Sequence, residues 1–299
     1  MPRRSTARDA AEYAAVRLLL AVLEWLPVPI AELVARTGLR VLGRLVPRLD
    51  RVALQNLQLA LPELGPIAHR RILAGMYRSL ARALVVFARF PRLDRTNIGR
   101  WIRCEGEEHV RAAFERGRGI LFATGHLGNW ELSAFAYALL REPMNVVVRP
   151  LDNPKLDALV AKRRTLSGNR LIEKREAARQ ILKALAANQA VGILVDQNSS
   201  PDEGVFVDFF GIRACASAGL ARLAARSGAA VIPGYALWSD QEKRYVLRFE
   251  PPVEITGDTG QDTQRVHKRL ESVIRRHPEQ WLWIHRRWKT RPPGELPIY

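Results

Sequence analysis

The chain has 299 residues, 47% of them hydrophobic, enough for one large or two modest domains with a buried core. Its net charge of +17 points to an acidic or phosphorylated partner: nucleic acid, an anionic membrane or an acidic protein. Arginine supplies 40 of the 47 basic residues, which favours bidentate phosphate or carboxylate contacts. Two cysteines in flanks of different character, Cys104 and Cys215, argue against a disulfide framework and fit a reducing compartment.

Residues 10–26 form an apolar run that contains Arg17 and Glu24 and ends at Pro27 and Pro29. A transmembrane helix needs about 20 largely uncharged residues, and this run falls short. It carries no small-residue cleavage site, so a secretory leader is not expected. It fits an interfacial helix with Trp25 at headgroup level, and equally an amphipathic helix packed on its own domain. The next stretch, Ile30 to Leu45, places Arg36, Arg40 and Arg44 on one face. Helical patterning continues from 51 to 90, broken at Leu61-Pro62-Glu63-Leu64-Gly65-Pro66. A boundary is expected at Pro91–Arg95, giving a helical, membrane-associating region over 1–95 and a second domain over 96–299.

From about residue 101 the pattern alternates. Strands are expected at Ile120–Ala123, Asn145–Val148, Val191–Val195, Ala230–Tyr235 and Tyr245–Phe249. Helical faces lie between them: Ala178, Ile181, Leu182 and Leu185; then Leu220, Leu223 and Ala224, closed by Gly228; then Val266, Leu270, Val273 and Ile274. This predicts an α/β fold with a mixed, partly parallel central sheet flanked by helices. In such sheets, sites gather beyond the carboxyl ends of strands. His126, Arg149 and Asp196 each follow a different expected strand.

The most informative stretch is Gly119 to Glu131, an apolar run that breaks at Gly125 and resumes as a helix face at Leu132, Phe135, Ala136 and Leu139. On a helix, residues five apart point about 140° away from each other, so His126 and Glu131 meet only if His126 lies in the turn before the helix. Gly125 and Gly128 allow that turn. A neutral imidazole oriented by a carboxylate is a general base. No serine or cysteine lies within the turn itself, so the hydroxyl to be activated is expected to come from a substrate. Taken alone, the spacing more often marks a structural histidine and a helix-start glutamate.

With Asn56-Leu57 and Leu61-Pro62-Glu63, the turn Gly125-His126-Leu127-Gly128-Asn129-Trp130-Glu131 belongs to a longer series. The series continues through Arg149, Asn153-Pro154, Arg163-Arg164, Asp196-Gln197 and Gly204 to Gly211, then Ala221-Arg222-Leu223-Ala224 and Gln280 to Pro292. In that order and spacing these blocks resemble the bacterial lipid A biosynthesis acyltransferases of the lauroyl/myristoyl type, within the broader glycerolipid acyltransferase fold. The resemblance covers most of the chain.

It implies an enzyme peripheral or monotopic on the cytoplasmic face of the inner membrane. Such an enzyme moves a fatty acyl group from acyl carrier protein or coenzyme A to a hydroxyl of an anionic glycolipid. It implies His126 as catalytic base and Glu131 as its partner acid, with Arg164 and Asp196 at functionally required positions and Arg149 near the site. The choice of Arg164 over Arg163 rests on one residue of alignment. No metal or cofactor is implied. Two positions depart from the family pattern: Leu127, where many members carry phenylalanine, and Ala216-Ser217-Ala218, in place of a threonine-rich segment. Relatives that acylate phosphatidylinositol mannosides share much of the pattern but close the turn with Asp rather than Glu, so another polar-lipid acceptor stays open.

The chemistry needs a base and an oxyanion stabiliser, and the backbone N–H groups near Gly128 and Asn129 are candidates for the second. A phosphorylated acceptor suits Arg149 and Arg164. The tail packs Trp281, Trp283 and Trp288 among His285, Arg286, Arg287 and Lys289. Such a segment can stack on nucleic-acid bases or lie at a membrane interface. The favoured arrangement turns the tryptophans inward with the basic residues at the rim of the site. A basic nucleic-acid-binding protein is the reading of a different class, but no nucleic-acid module is recognisable.

Overall fold

The computed structural model describes residues 5–174 and 177–299. Four helices come first: α1 (Thr6–Trp25), α2 (Val28–Leu45), α3 (Pro47–Ala60) and α4 (Pro66–Ala88). Pro47 and Pro66 stand at first helical positions, where the missing N–H costs nothing. Arg89 is buried and donates to the carbonyl oxygens of Leu23 and Leu26, closing the carboxyl end of α1 with a cation.

The α/β part runs β1 (Ile102–Glu105), α5 (Glu107–Glu115), β2 (Ile120–Thr124), α6 (Trp130–Leu140), β3 (Asn145–Val148), α7 (Pro154–Thr165) and β4 (Arg170–Glu173). It continues with α8 (Ala177–Ala186), β5 (Ala190–Leu194), β6 (Gly204–Phe209), β7 (Ile212–Ser217), α9 (Gly219–Ser227), β8 (Ala230–Ser239), β9 (Arg244–Phe249) and α10 (Thr259–Arg276). The main sheet has the order β1-β9-β8-β2-β5-β3-β4. The five strands from β8 to β4 run parallel, whereas β9 returns antiparallel to β8 and carries β1 with it. A short hairpin link permits only that reversal. The sheet is therefore mixed and mostly parallel.

All five expected strands form. Four others went unread. Edge strands β1 and β4 are only four residues long and carry charge, so no alternation stands out. β6 and β7 pair as a separate hairpin around Phe210 (φ 61°) and Gly211 (φ 76°). Both central residues of that two-residue turn are left-handed, without the Asn-Gly signature that usually marks it.

The expected boundary at 91–95 begins in the single 3₁₀ turn Phe90–Arg92, but burial runs across it. Leu57 and Met76, from α3 and α4, share one core cluster with Leu121 and Trp281. Asn56, fully buried, donates to the carbonyl oxygens of Trp283 (2.6 Å) and His285 (2.8 Å), tying the helical region to the tail.

Among the described residues, no helix is long and apolar enough to cross a membrane. Both outer helices leave large apolar side chains exposed, and α2 buries only small ones. α2 turns Ala31, Ala35 and Gly43 inward and leaves Leu33, Val34, Leu42 and Leu45 exposed. On α1, Leu18, Val22 and Trp25 are exposed while Leu20 and Leu23 are buried. Glu24 is not an outward charge: it faces α7 and pairs with Arg163 at 3.3 Å.

Candidate active site

Strand register explains why the site forms. Thr124 of β2 pairs with Leu194 of β5, and the ladder continues with the Val195 N–H donating to the Thr124 carbonyl at 2.9 Å. His126 and Asp196 each lie two residues beyond that matched pair. They emerge side by side where the strands end and the backbone turns. Gly125 makes room: a Cβ there would sit 3.1 Å from the Asp196 carboxyl carbon. Gly128 (φ 62°) is left-handed, and a Cβ there would fall 2.0 Å from the Ala236 carbonyl oxygen. No residue but glycine fits that approach.

The histidine lies in the turn before α6, as expected, but its carboxylate partner is Asp196 rather than Glu131. Asp196 Oδ1 accepts from the ring Nδ1 at 2.9 Å, and Oδ2 accepts from the His126 backbone N–H at 2.7 Å and the Trp281 indole N–H at 2.9 Å. An ionised carboxylate only accepts, so Nδ1 carries the proton and Nε2 is the basic nitrogen. Nε2 has the Gln197 amide nitrogen at 3.5 Å. Burial works most strongly against a charged His126, but Asp196, by charge and hydrogen bond, and Glu131, by charge, outweigh it. The imidazole pKa is raised above its ordinary value. Asp196, 3% exposed, is held well below the usual carboxylate range. Burial opposes this, but the charge and hydrogen bonds of His126, with the Trp281 indole, outweigh it.

Glu131, in the first turn of α6, is claimed by Arg164 of α7. Nε and Nη2 of Arg164 donate to its two oxygens at 2.8 and 2.5 Å, a bidentate pair. The neighbouring Arg163 turns the other way, to the Ala88 carbonyl at 2.6 Å and to Glu24. Helical geometry separates the two adjacent arginines: one faces the site and the other holds the N-terminal helices.

His126, Glu131, Arg164 and Arg149 line one cavity of about 610 Å³, bounded by the sheet and α6. Arg149 is exposed at its edge and makes no hydrogen bond or ion pair among the described residues. Two expected site residues lie off the cavity wall. Asp196 sits behind His126. Asn129 is fully buried, and its side chain caps α6 by accepting from the Leu132 N–H at 3.0 Å. The two backbone donors expected to stabilise an oxyanion are also taken: Gly128 N–H donates to the Gln280 carbonyl and Asn129 N–H to the Ala236 carbonyl. Both are spent fixing the turn against β8 and the tail.

The three tail tryptophans are buried, as favoured. None of them is available to stack on a base, which removes the main support for nucleic-acid binding. Arg287 does not sit at a rim. It is fully buried beneath the Phe209 ring and donates to the Cys215 carbonyl at 2.6 Å. His285 is structural, accepting from the Asn198 backbone N–H at 3.0 Å. Trp281 is the site residue that sequence reasoning missed, because nothing in a tryptophan-rich tail says which indole reaches the acid. Among the described residues no group of three or more His, Cys, Asp or Glu side chains is placed to hold a metal ion.

Residues 1–290 match the family described as bacterial lipid A biosynthesis acyltransferase. The lipid A biosynthesis lauroyltransferase of Escherichia coli (strain K12) is 30% identical over 286 residues, covering 91% of this chain and 93% of that relative. The palmitoleoyltransferase of the same strain is 30% identical over 254 residues (84% and 82%), and its myristoyltransferase 24% over 269 (89% and 83%).

Proposed function

The chain belongs to the family of bacterial lipid A biosynthesis acyltransferases, and on that premise we propose how it works. It moves a fatty acyl group from a thioester, carried by acyl carrier protein or coenzyme A, to a hydroxyl of an anionic lipid A precursor. The observation that carries this reading is the His126–Asp196 pair at the polar end of a cavity whose other end is apolar.

The acceptor hydroxyl hydrogen-bonds to Nε2 of His126. Its proton passes to Nε2 as its oxygen bonds to the thioester carbonyl carbon. The C–S bond then breaks, and the departing thiolate takes the proton back from the imidazolium. Asp196 stays ionised throughout and holds the ring in the tautomer that leaves Nε2 free. With the Gly128 and Asn129 N–H groups engaged, the Gln197 amide, 3.5 Å from Nε2, takes the role of oxyanion donor in this reading. Glu131 acts through Arg164, fixing the guanidinium on the cavity wall. The unpaired Arg149 at the edge takes the anionic headgroup.

The exposed apolar faces of α1 and α2, beside Arg36, Arg40 and Arg44, support a monotopic position on the cytoplasmic face of the inner membrane. Mass spectrometry of lipids from cells with and without the gene tests the reading. Loss of one acyl chain from lipid A is the expected result. Unchanged lipid A with a phosphatidylinositol mannoside or other polar lipid losing a chain would move the acceptor, and no lipid change at all would overturn the assignment.

A further inference from the structure

The cavity runs from the carboxyl ends of the strands, where His126 lies, back along the sheet face beneath α6. In one row across that face stand Val146, Gly192 and Phe122, on β3, β5 and β2. Gly192 and Phe122 each precede their strand's site residue by four positions, roughly 13 Å at ~3.3 Å per residue. Glycine at the middle of that row leaves a gap between two large side chains. The gap is filled by Met144: a Cβ on Gly192 would lie 2.7 Å from the Met144 terminal methyl.

Met144 comes from the opposite end of the sheet. Asn145 pairs with Val191, so Met144 enters level with Ala190, farther from the catalytic histidine than any part of the Gly192 row. Its backbone is fixed on both sides, the N–H donating to Asn169 Oδ1 (2.9 Å) and the carbonyl accepting from the Arg170 N–H (3.0 Å). Its side chain, buried and lining the cavity, is an unbranched thioether that can shift as a plug. A fixed backbone with a movable tip, at the apolar end of a channel that begins at a catalytic base, is the arrangement of a length stop.

We propose that Met144, seated in the gap left by Gly192, is the stop that sets the length of the acyl chain this enzyme transfers. The inference rests on the acyl-transfer reading above and concerns only where the chain ends. The three carbons and sulfur beyond Cα define the channel floor. Removing the outer three atoms deepens it, and a methyl on Gly192 displaces the Met144 tip from its gap on the sheet face into the channel and shortens it.

The test is a competition assay. The full-length enzyme in detergent receives a lipid A precursor and an equal mixture of acyl carrier protein thioesters from decanoyl to palmitoyl. Mass spectrometry then reads the ratio of chain lengths in the product. A ratio taken within one tube does not depend on how much enzyme is folded. Met144→Ala should shift the product toward chains about two methylenes longer, by on the order of tenfold in ratio, since each buried methylene counts for roughly fourfold. Gly192→Ala should shift it toward shorter chains, and the double variant should return toward the wild-type ratio. General loosening of the core would add the two effects instead of cancelling them. Where the alanine variant fails to fold, Met144→Val repeats the test in the same direction with a smaller loss of both reach and volume.

Unchanged ratios in Met144→Ala or Met144→Val, or a shift in the same direction in both single variants, would overturn the stop while leaving acyl transfer intact. Absence of transfer by the wild-type enzyme from every donor would overturn the acyl-transfer reading and the stop with it.

Discussion

Asp196 holds His126 at two points, accepting from the ring Nδ1 with one carboxylate oxygen and from the backbone N–H with the other. A single side chain therefore sets both the tautomer of the base and the position of the turn that presents it. Trp281 locks the carboxylate from behind, and the tryptophan is itself packed edge-on against Phe209 at 5.8 Å. The β6–β7 hairpin, through Phe209, and the tail, through Trp281, thus support the His126–Asp196 pair from behind.

Asp196→Asn should lower kcat by about 10²–10⁴, because the amide does not enforce the productive tautomer. The pH profile separates this from a loss of fold. With His126 as the proposed base, activity should rise with pH through the raised imidazole pKa, and the acid limb of kcat/KM in the wild type is expected above the ordinary histidine value of about 6.5. Without the Asp196 charge, burial dominates and lowers that pKa, so the residual activity of the variant should show its acid limb at lower pH. An acid limb that stays in place or moves up would show that His126 is not the titrating base. His126→Ala should abolish transfer with an unchanged circular dichroism spectrum.

Glu131→Gln should act chiefly through Arg164. The partly buried pair loses its charge, Arg164 loses its fixed position, and KM for the acceptor should rise about tenfold with a smaller fall in kcat than Asp196→Asn causes. Arg164→Lys should not restore affinity, because an ammonium cannot make the bidentate contact. Kinetics that match Asp196→Asn in size and pH shift would mean instead that Glu131 orients His126 directly.

For the membrane, point substitutions are a better probe than truncation at Pro27. Leu20, Leu23 and the Arg89 contacts tie α1 into the core. Leu33→Glu with Leu45→Glu should weaken binding to anionic vesicles while changing Tm little, since both side chains are exposed. Replacing Arg36, Arg40 and Arg44 by Gln should cost on the order of 1 kcal/mol per charge, lost in high salt. Undiminished vesicle binding in both variants would place the membrane contact elsewhere.

The donor can be read from salt. In uncharged detergent micelles, KM for an acyl carrier protein thioester should rise steeply between low and moderate salt, because surface charge pairs are screened over ~8–10 Å. The rise should be shallower for the coenzyme A thioester, which makes fewer charged contacts. Equal slopes, or a preference for coenzyme A at every salt concentration, would assign the basic surface to the membrane or acceptor.

Local sequence determined the elements that carry the site. The β-branched runs, the Gly125–Gly128 turn and the apolar spacing after Leu132 placed His126 between a strand and a helix, and ordered motifs identified the family. None of that information says which carboxylate meets the imidazole. Glu131 is five residues away and Asp196 seventy, yet the nearer acid is drawn to Arg164, while the distant one arrives through a strand register that local patterning does not encode. The same holds for Arg163 and Arg164, adjacent in the chain but facing opposite neighbours, and for Asn129, whose polarity is used to cap a helix. Side-chain partners depend on which faces the packed layers bring together, and the tertiary structure alone decided those.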